Sequence, residues 1–248
     1  MRIDSDVELL DGLTVAYIKS INCLAVADLH LGYESHMARN GVFIPKANLR
    51  RILSALGRSL DQTGARGIIV VGDIKNEFST VEHDEFNELY DIMEFCKERG
   101  APLTLVKGNH DNYIDRYRDK FKLKTRGDAD IGGYLFFHGN KLPKLSGKKP
   151  KMLISGHEHP SIGIVNAAGR KERLRCFILG KYKNMRLLVL PAISYFASGT
   201  DINIRPKGSL LSPVLKSMDV DAAHAIAVGY GSTLDFGTVG GLRKLSQR

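Results

Sequence analysis

The sequence predicts an α/β fold, two packed β-sheets flanked by helices, on three observations. Short β-like runs alternate with amphipathic helical runs over the first half. Beyond about residue 120 the pattern changes to many short strand-like segments separated by turns, which fits a second sheet packed on the first. No internal repeat, low-complexity tract or linker divides the 248 residues, so one domain over 1–248 is expected, and 43% hydrophobic content is enough for a sizeable core.

The elements follow in order. Residues 13–18 (LTVAYI) and 21–28 (INCLAVAD) read as strands with only Lys19-Ser20 between them, hence a hairpin. A helix is expected from about Pro45 to Gln62, because Leu49, Ile52, Leu53, Leu56 and Leu60 recur at helical spacing and Pro45 suits a helix start. Residues 67–73 (GIIVVGD) form a buried strand. Residues 82–100 are amphipathic, with Phe86, Leu89, Tyr90, Met93, Phe95 and Cys96 on or near one face and Gly100 as a stop. The next strand is PLTLVKG, at 102–108. The second half then supplies DADIGGYLFFHG, KMLISG, SIGIVN, RLRCFIL, MRLLVLPA, HAIAVGY and STLDFG, with turns at Gly132-Gly133, Gly156 and Gly169.

Composition narrows the function classes. No apolar run approaches the ~20 residues that span a bilayer, and MRIDSDVELLDG opens with charge rather than a signal-peptide core. A cytoplasmic protein without a membrane partner is expected. Cys23, Cys96 and Cys176 are odd in number, widely spaced and free of a C-x-x-C pair, which points to a reducing compartment and away from structural zinc. The net charge of +9 favours polyanions or phosphorylated substrates. Basic residues cluster at 116–126, 141–151 and 170–186, each run being either a solvated face or part of a nucleic-acid groove.

Ligand-type residues stand where five strands should end: Asp28 and His30, Asp73, Asn109 with His110 and Asp111, His138, and His157 with His159 in SGHEHP. Alternate side chains of an extended segment point the same way, so both imidazoles of SGHEHP can converge on one point. Open α/β sheets build their sites at the carboxyl edge, where all five groups fall. A lone H-x-H is more often a solvated pair, but five such termini in one chain are not an accident. His36, His83 and His224 lie outside the convergent set and are expected to be ordinary polar residues.

In this order, D-x-H, G-D-x-x-N, G-N-H-D, H and G-H-x-H, from Asp28 to His159, resemble the motifs of the calcineurin-like metallophosphoesterase superfamily. DLHLGYE, GVFIPK, GDIKNEF and LPAISYFASGTDIN further resemble compact archaeal phosphoesterases related to the Mre11/SbcD nucleases. The resemblance implies a sandwich of two mixed sheets and a dinuclear-metal-dependent phosphoester hydrolase. Asp28, His30 and His159 would hold one ion and Asn109, His138 and His157 the other, with Asp73 as the bridge. Two divalent cations suit this chemistry because a phosphate ester is anionic and repels nucleophiles; they neutralise it, acidify water and hold the attack in line. A set of imidazole, carboxylate and amide without thiolate suits manganese, the favoured metal, or iron, zinc or nickel better than calcium.

Gly72, Gly108 and Gly156 precede ligands and are expected to take φ > 0. His110 should face the substrate as a catalytic acid or transition-state donor. Asp111 would either orient His110 or cap a helix from residue 112 onward. Where many relatives carry histidine or aspartate after Gly72-Asp73, this chain has Lys75-Asn76. The leading function is a phosphodiesterase, extending to a nuclease acting on DNA through the basic surface. The alternatives are a small-molecule nucleotide phosphodiesterase or phosphatase, and a non-catalytic interaction scaffold, which the filled ligand positions disfavour. Residues 160–248 leave little room for the capping domain of an Mre11-type nuclease, so a homo-oligomer or protein partner is a further expectation.

Overall fold

Residues 1–78, 82–145, 147, 149–165 and 169–246 are described by the structure, a computed structural model. Lys148 of the second basic run, Ser146 in the same loop and Asn166 at the end of SIGIVN lie outside the described residues. Strands β1 (Val7–Leu9), β2 (Ala16–Ile18) and β3 (Cys23–Val26) pair antiparallel. Helices α1 (Tyr33–Arg39) and α2 (Asn48–Thr63) lead to β4 (Ile68–Val71), and α3 (His83–Glu98) leads to β5 (Leu103–Val106). A short helix, α4 (Arg118–Phe121), precedes β6 (Lys124–Arg126). β3 to β6 run parallel in the order β1-β2-β3-β4-β5-β6, with the helices serving as the crossovers that parallel pairs require.

The second sheet comprises β7 (Ala129–Ile131), β8 (Tyr134–Phe136), β9 (Met152–Ser155), β10 (Pro160–Val165), β11 (Lys171–Tyr182), β12 (Met185–Val189) and β13 (Thr200–Asp201). Their order is β13-β10-β11-β12-β9-β8-β7, and β14 (His224–Gly229) and β15 (Ser232–Thr238) join through β11. Helices α5 (Pro213–Ser217) and α6 (Val239–Ser246) cover part of it. The change of pattern read near residue 120 is therefore slightly early: β6 still belongs to the first sheet. It is an edge strand with Lys124 and Arg126 exposed, so its backbone pairs without an apolar signature. Residues 160–165 and 169–246 finish the second sheet rather than forming a cap.

Alternation along the strands divides the apolar residues among three cores. Ile68 and Val70 of β4 join Ile52 and Leu56 of α2 and Leu89 and Ile92 of α3 on the outer face of the first sheet. Ile69 and Val71 turn inward, where they share a core with Phe136, Met152, Ile154 and Phe177 of the second sheet. Leu153 and Ile178 face the opposite way, towards Val214 and Leu215 of α5 and Leu242 of α6. Strands buried on both faces read as continuous apolar runs, which is why GIIVVG and KMLISG were legible as strands.

Helix boundaries follow local hydrogen bonding. α2 begins at Asn48 rather than Pro45, because the Glu34 carboxylate accepts the N–H groups of Ala47 and Asn48 at 2.9 and 2.8 Å and so fixes where the first turn starts. α3 starts with a capping box in which Glu82 and Glu85 satisfy each other's backbone. Among the described residues no helix is long and apolar enough to cross a membrane, and all three cysteines are free. Phe177 is fully buried between the sheets. Truncating it, Phe177→Ala, should lower the unfolding free energy by about 3–5 kcal/mol, read from denaturant midpoints; a loss below about 1 kcal/mol would mean that the two sheets do not depend on a shared core.

Candidate metal centre

The carboxyl ends of β3, β4 and β5 carry Asp28 and His30, Asp73, and Asn109 to Asp111; those of β8 and β9 carry His138, His157 and His159. The two sheets bring these five termini together. Asp28, His30 and His159 form one group and Asp73, His138 and His157 another, each with potential ligand atoms within 4.8 Å of one another. Asn109 joins the second group, its Oδ1 lying 3.0 Å from His138 Nε2. His36, His83 and His224 lie elsewhere, against Glu77, Asn87 and Asp235.

Five of these seven residues have left-handed backbones: Asp28 (φ 58°), His30 (47°), Asp73 (50°), His157 (70°) and His159 (48°). For a residue with a Cβ this conformation is uncommon and costs roughly 1–2 kcal/mol. Neighbouring loops hold it in place. Asp28 N–H and His30 N–H donate to the carbonyls of Gly72 and Asp73, both at 3.1 Å, and Ser194 N–H donates to the Asp28 carbonyl at 3.2 Å. Strain maintained at so many adjacent residues marks a functional site.

The glycines beside them correct one expectation. Only Gly72 has a positive φ, 85°. Gly108 and Gly156 are needed for close approach instead: a Cβ on Gly108 would sit 2.1 Å from Asp73 Oδ1, and one on Gly156 would sit 2.7 Å from Ala27 Cβ and 2.8 Å from Asp28 Oδ2.

The donor set fits divalent cations. His138 Nδ1 faces the Val71 carbonyl at 3.2 Å and must carry its proton there, so the other ring nitrogen of the neutral imidazole is a lone pair. That Nε2 meets Asp73 Oδ2 at 3.2 Å, Asn109 Oδ1 and, at 3.1 Å, His157 Nδ1. His159 likewise turns Nδ1 to the Ser198 carbonyl at 3.3 Å and presents Nε2 to His30 Nε2 at 3.3 Å and to Asp28 Oδ1 at 3.5 Å. Acceptors aimed at acceptors repel unless a proton or a cation lies between them.

The acid–base properties follow. Burial, and then the charge of His159, lower His30 to about 4; burial, and then the charge of His138, do the same to His157. Both are therefore neutral lone-pair donors near neutral pH. Burial also disfavours a charged His138, but its hydrogen bond to Asp73 and that residue's charge prevail and raise it to about 9. Asp73 is held well below the ordinary carboxylate range by His138, against the opposing effect of burial. A cation at the centre would take the place of the proton that Asp73 and His138 otherwise share.

His110 and Asp111 part company. The His110 ring sits edge-on to His30 with centroids 5.0 Å apart; its Nδ1 lies 2.5 Å from the Asn76 carbonyl and its Nε2 lies 3.7 Å from Asp73 Oδ2. Both nitrogens thus face groups other than Asp111. The Asp111 carboxylate, fully buried, accepts the N–H groups of Gly108, Asp73 and Ile74 at 2.7, 2.9 and 2.9 Å and that of Lys75 at 3.4 Å. It neither orients the ring nor caps a helix; it ties the loop bearing Asp73 to the loop bearing Asn109. Asn76, the position that departs from the family pattern, contributes its backbone carbonyl rather than its side chain.

Several supporting residues went unread in the sequence. Buried Asn48 donates to the carbonyls of Leu29 and His30 at 3.0 and 3.4 Å, and accepts from Tyr195 N–H at 2.8 Å and from the Ser194 hydroxyl at 3.2 Å. Glu85 accepts the N–H groups of Asn76 and Glu77 and thereby shapes the turn that holds His110. Glu158, between the two histidines, turns away and accepts the N–H groups of Leu211 and Ser212. The E-x-x-E spacing at 82–85 was the only local signal among them.

Two mixed sheets with flanking helices and two clusters of candidate metal ligands are those of a metal-dependent phosphoesterase. The chain belongs to the calcineurin-like phosphoesterase family, whose model matches residues 21–147. The match ends before SGHEHP, so His157 and His159 are assigned to the candidate centre by their motif and their geometry. Among solved structures, the nuclease MPE of Pseudomonas putida is similar with a TM-score of 0.63 and 20% identity, over 92% of this chain and 94% of its own, and shares the fold. YfcE, a phosphoesterase from E. coli, aligns with a TM-score of 0.42 and 15% identity over 85% of this chain and 95% of its own. No curated protein matches the chain in sequence.

Two expectations follow from the supporting carboxylates. Asp111→Ala strands buried N–H groups at about 1–3 kcal/mol each, so it should lower stability by about 3 kcal/mol or more and weaken metal binding together. Reduced turnover at unchanged stability would instead place Asp111 on His110. Glu88 Oε2 accepts the Gly32 N–H at 2.8 Å beside the His30 loop, and burial, against that hydrogen bond, pushes its carboxyl from 4.5 up to about 7. The folded chain then holds a proton that the unfolded chain has released between those values, so stability should fall as pH rises through this window. Glu88→Gln should flatten that decline in denaturant midpoints measured across pH 4.5 to 7.

Proposed function

We propose that the chain is a two-metal phosphodiesterase acting on nucleic acid. In this reading Asp28, His30 and His159 hold one divalent ion, Asn109, His138 and His157 hold a second, and Asp73 lies between them. Manganese is the preferred metal, and residues 1–248 act as one domain. The carrying observation is the convergence of potential ligand atoms, above all Asp73 Oδ2, Asn109 Oδ1 and His157 Nδ1 around His138 Nε2, whose proton a cation would replace. When bound, the two cations would supply charge neutralisation and an acidified water for an in-line displacement at phosphorus.

The residues of the chain supply the rest. Asp73, its backbone tied to Asp111, offers Oδ2 3.2 Å from His138 Nε2 while its Oδ1 accepts the His110 N–H at 2.9 Å, and in this reading it would be shared by the two ions. His110 is pre-set by the Asn76 carbonyl, which holds Nδ1–H and leaves Nε2 as the nitrogen offered to substrate. As the imidazolium it can donate from there to a phosphoryl oxygen or give that proton to the leaving oxygen. A diester in nucleic acid is favoured by the +9 charge and by the fold shared with a nuclease over nine-tenths of both chains. Not every basic run contributes equally: Arg173 is paired with Asp201 and Arg186 with Asp4, whereas Lys122, Lys124 and Arg126 line one open surface groove.

Metal analysis of manganese-loaded protein should approach two equivalents, and Asp73→Ala should weaken both together; one equivalent across manganese, zinc and iron loading would contradict the assignment. His110→Ala should keep its metal and lose turnover by roughly 10²–10⁴-fold, and retained activity would remove His110 from the chemistry. In a panel of phosphomonoester, small chromogenic diester, cyclic nucleotide and single- and double-stranded DNA, cleavage of DNA is expected. Turnover confined to the cyclic nucleotide or the monoester would replace the polymer substrate with a small molecule.

A further inference from the structure

Beside the His30 and His159 end of the centre, four distant segments build a row of rings and guanidinium groups. The Tyr33 ring is stacked against Phe196, with centroids 5.8 Å apart and planes 11° from parallel. Phe196 meets Tyr195 edge to face at 5.0 Å. The Arg51 guanidinium lies over the Tyr195 ring, 3.5 Å from its centroid, and the Arg175 guanidinium is 6.0 Å from the same ring while donating to the Tyr195 carbonyl at 2.5 Å. Tyr195 is nonetheless 44% exposed.

The row is fixed to the candidate metal ligands at three points. Tyr33 N–H donates to the His30 carbonyl at 3.3 Å. Asn48 spans from the Leu29 and His30 carbonyls to Tyr195 N–H. The Ser198 carbonyl, three residues beyond Tyr195, takes His159 Nδ1–H. A group bound on the row therefore sits next to whatever is bound at the centre.

Both guanidinium groups stand over one ring, and neither has a carboxylate within ion-pair distance among the described residues. Two like charges held on one ring repel each other, and Arg175 is partly withdrawn from water, which lowers its pKa through burial. An anion accepting from both would relieve the repulsion, and guanidinium groups match phosphate oxygens in geometry. Tyr195 is exposed and Tyr33 and Phe196 are half-buried behind it, and aromatic rings accessible beside arginine are what an unpaired nucleobase stacks on, at any sequence. A base inside a duplex has no free face to offer.

We infer that Arg51, Arg175 and the Tyr33–Phe196–Tyr195 row form a subsite for the nucleotide flanking the scissile phosphate, which makes single-stranded DNA the preferred substrate. The inference rests on the phosphodiesterase reading above and extends it to one strand form. The guanidinium groups take the flanking phosphate, the rings take its base, and the adjoining diester is delivered to the metal centre.

The test compares a labelled oligothymidylate with bis(p-nitrophenyl) phosphate, a diester too small to reach the row, in wild type, Arg51→Ala/Arg175→Ala, Tyr195→Leu and Tyr195→Phe. The double variant should raise KM for the oligonucleotide at least tenfold more than for the small diester. The slope of its logarithmic affinity against logarithmic salt concentration should fall by about 0.7 for each phosphate that the variant no longer neutralises. Tyr195→Phe should keep more oligonucleotide affinity than Tyr195→Leu, a ranking that general loss of folding does not produce. Equal losses on both substrates would overturn the subsite while leaving the nuclease reading intact. Wild-type protein that turns over the small diester but no DNA would overturn both.

Discussion

His30 Nε2 and His159 Nε2 face each other across 3.3 Å, and His138 Nε2 points into a carboxylate, an amide oxygen and a third imidazole. Groups that share the same partial charge do not gather without cause, and holding them in place constrains much of the surrounding structure. Asp28, His30, Asp73, His157 and His159 adopt left-handed backbones to aim their side chains inward. Gly72 leaves space for the His138 ring, where a Cβ would lie 2.0 Å from Nδ1, and Gly108 leaves space for Asp73. The parallel strands of both sheets deliver their carboxyl ends to the same place because the inter-sheet core, from Ile69 and Val71 to Phe177, locks one sheet against the other.

A second tier of polar groups holds the first. Asp111 gathers backbone N–H groups from two loops, Glu85 sets the turn whose Asn76 carbonyl orients His110, and Asn48 ties the His30 loop to the segment carrying Ser194 and Tyr195. These side chains are buried, and each is satisfied chiefly by main-chain donors or acceptors. Such bonds fix loop geometry more rigidly than contacts between flexible side chains would, and ligand precision at a metal site depends on that support. Burial raises Asp111 to about 6, helped by the charge of Asp73, so the clamp and the candidate bridging carboxylate are electrostatically linked as well as hydrogen-bonded.

Much of this was legible in the sequence because the signals were local. GIIVVGD and KMLISG declare their strands by continuous apolar character, and Asp28, Asp73, Asn109, His138, His157 and His159 declare themselves by residue type at strand ends. What escaped was tertiary. α1 and β1 are too short to show a period, and β6 lacks an apolar face. Asp111 looked like a partner of its neighbour His110, but its carboxylate is engaged by backbone 36 to 38 residues away. Gly108 and Gly156 looked like turn glycines and prove to be clearance glycines. The Arg51, Arg175 and Tyr195 group has no sequence signature, since its members come from α2, β11 and a loop after β12.

Two cations would resolve the facing ligand atoms of the two clusters. Anomalous diffraction from crystals grown with manganese, recorded on either side of the metal's absorption edge, tests this directly. Two peaks per chain are expected, one among Asp28, His30 and His159 and one among Asn109, His138 and His157, with an Asp73 oxygen adjoining each. A single peak, or peaks that leave Asp73 as a ligand of one ion alone, would contradict this assignment.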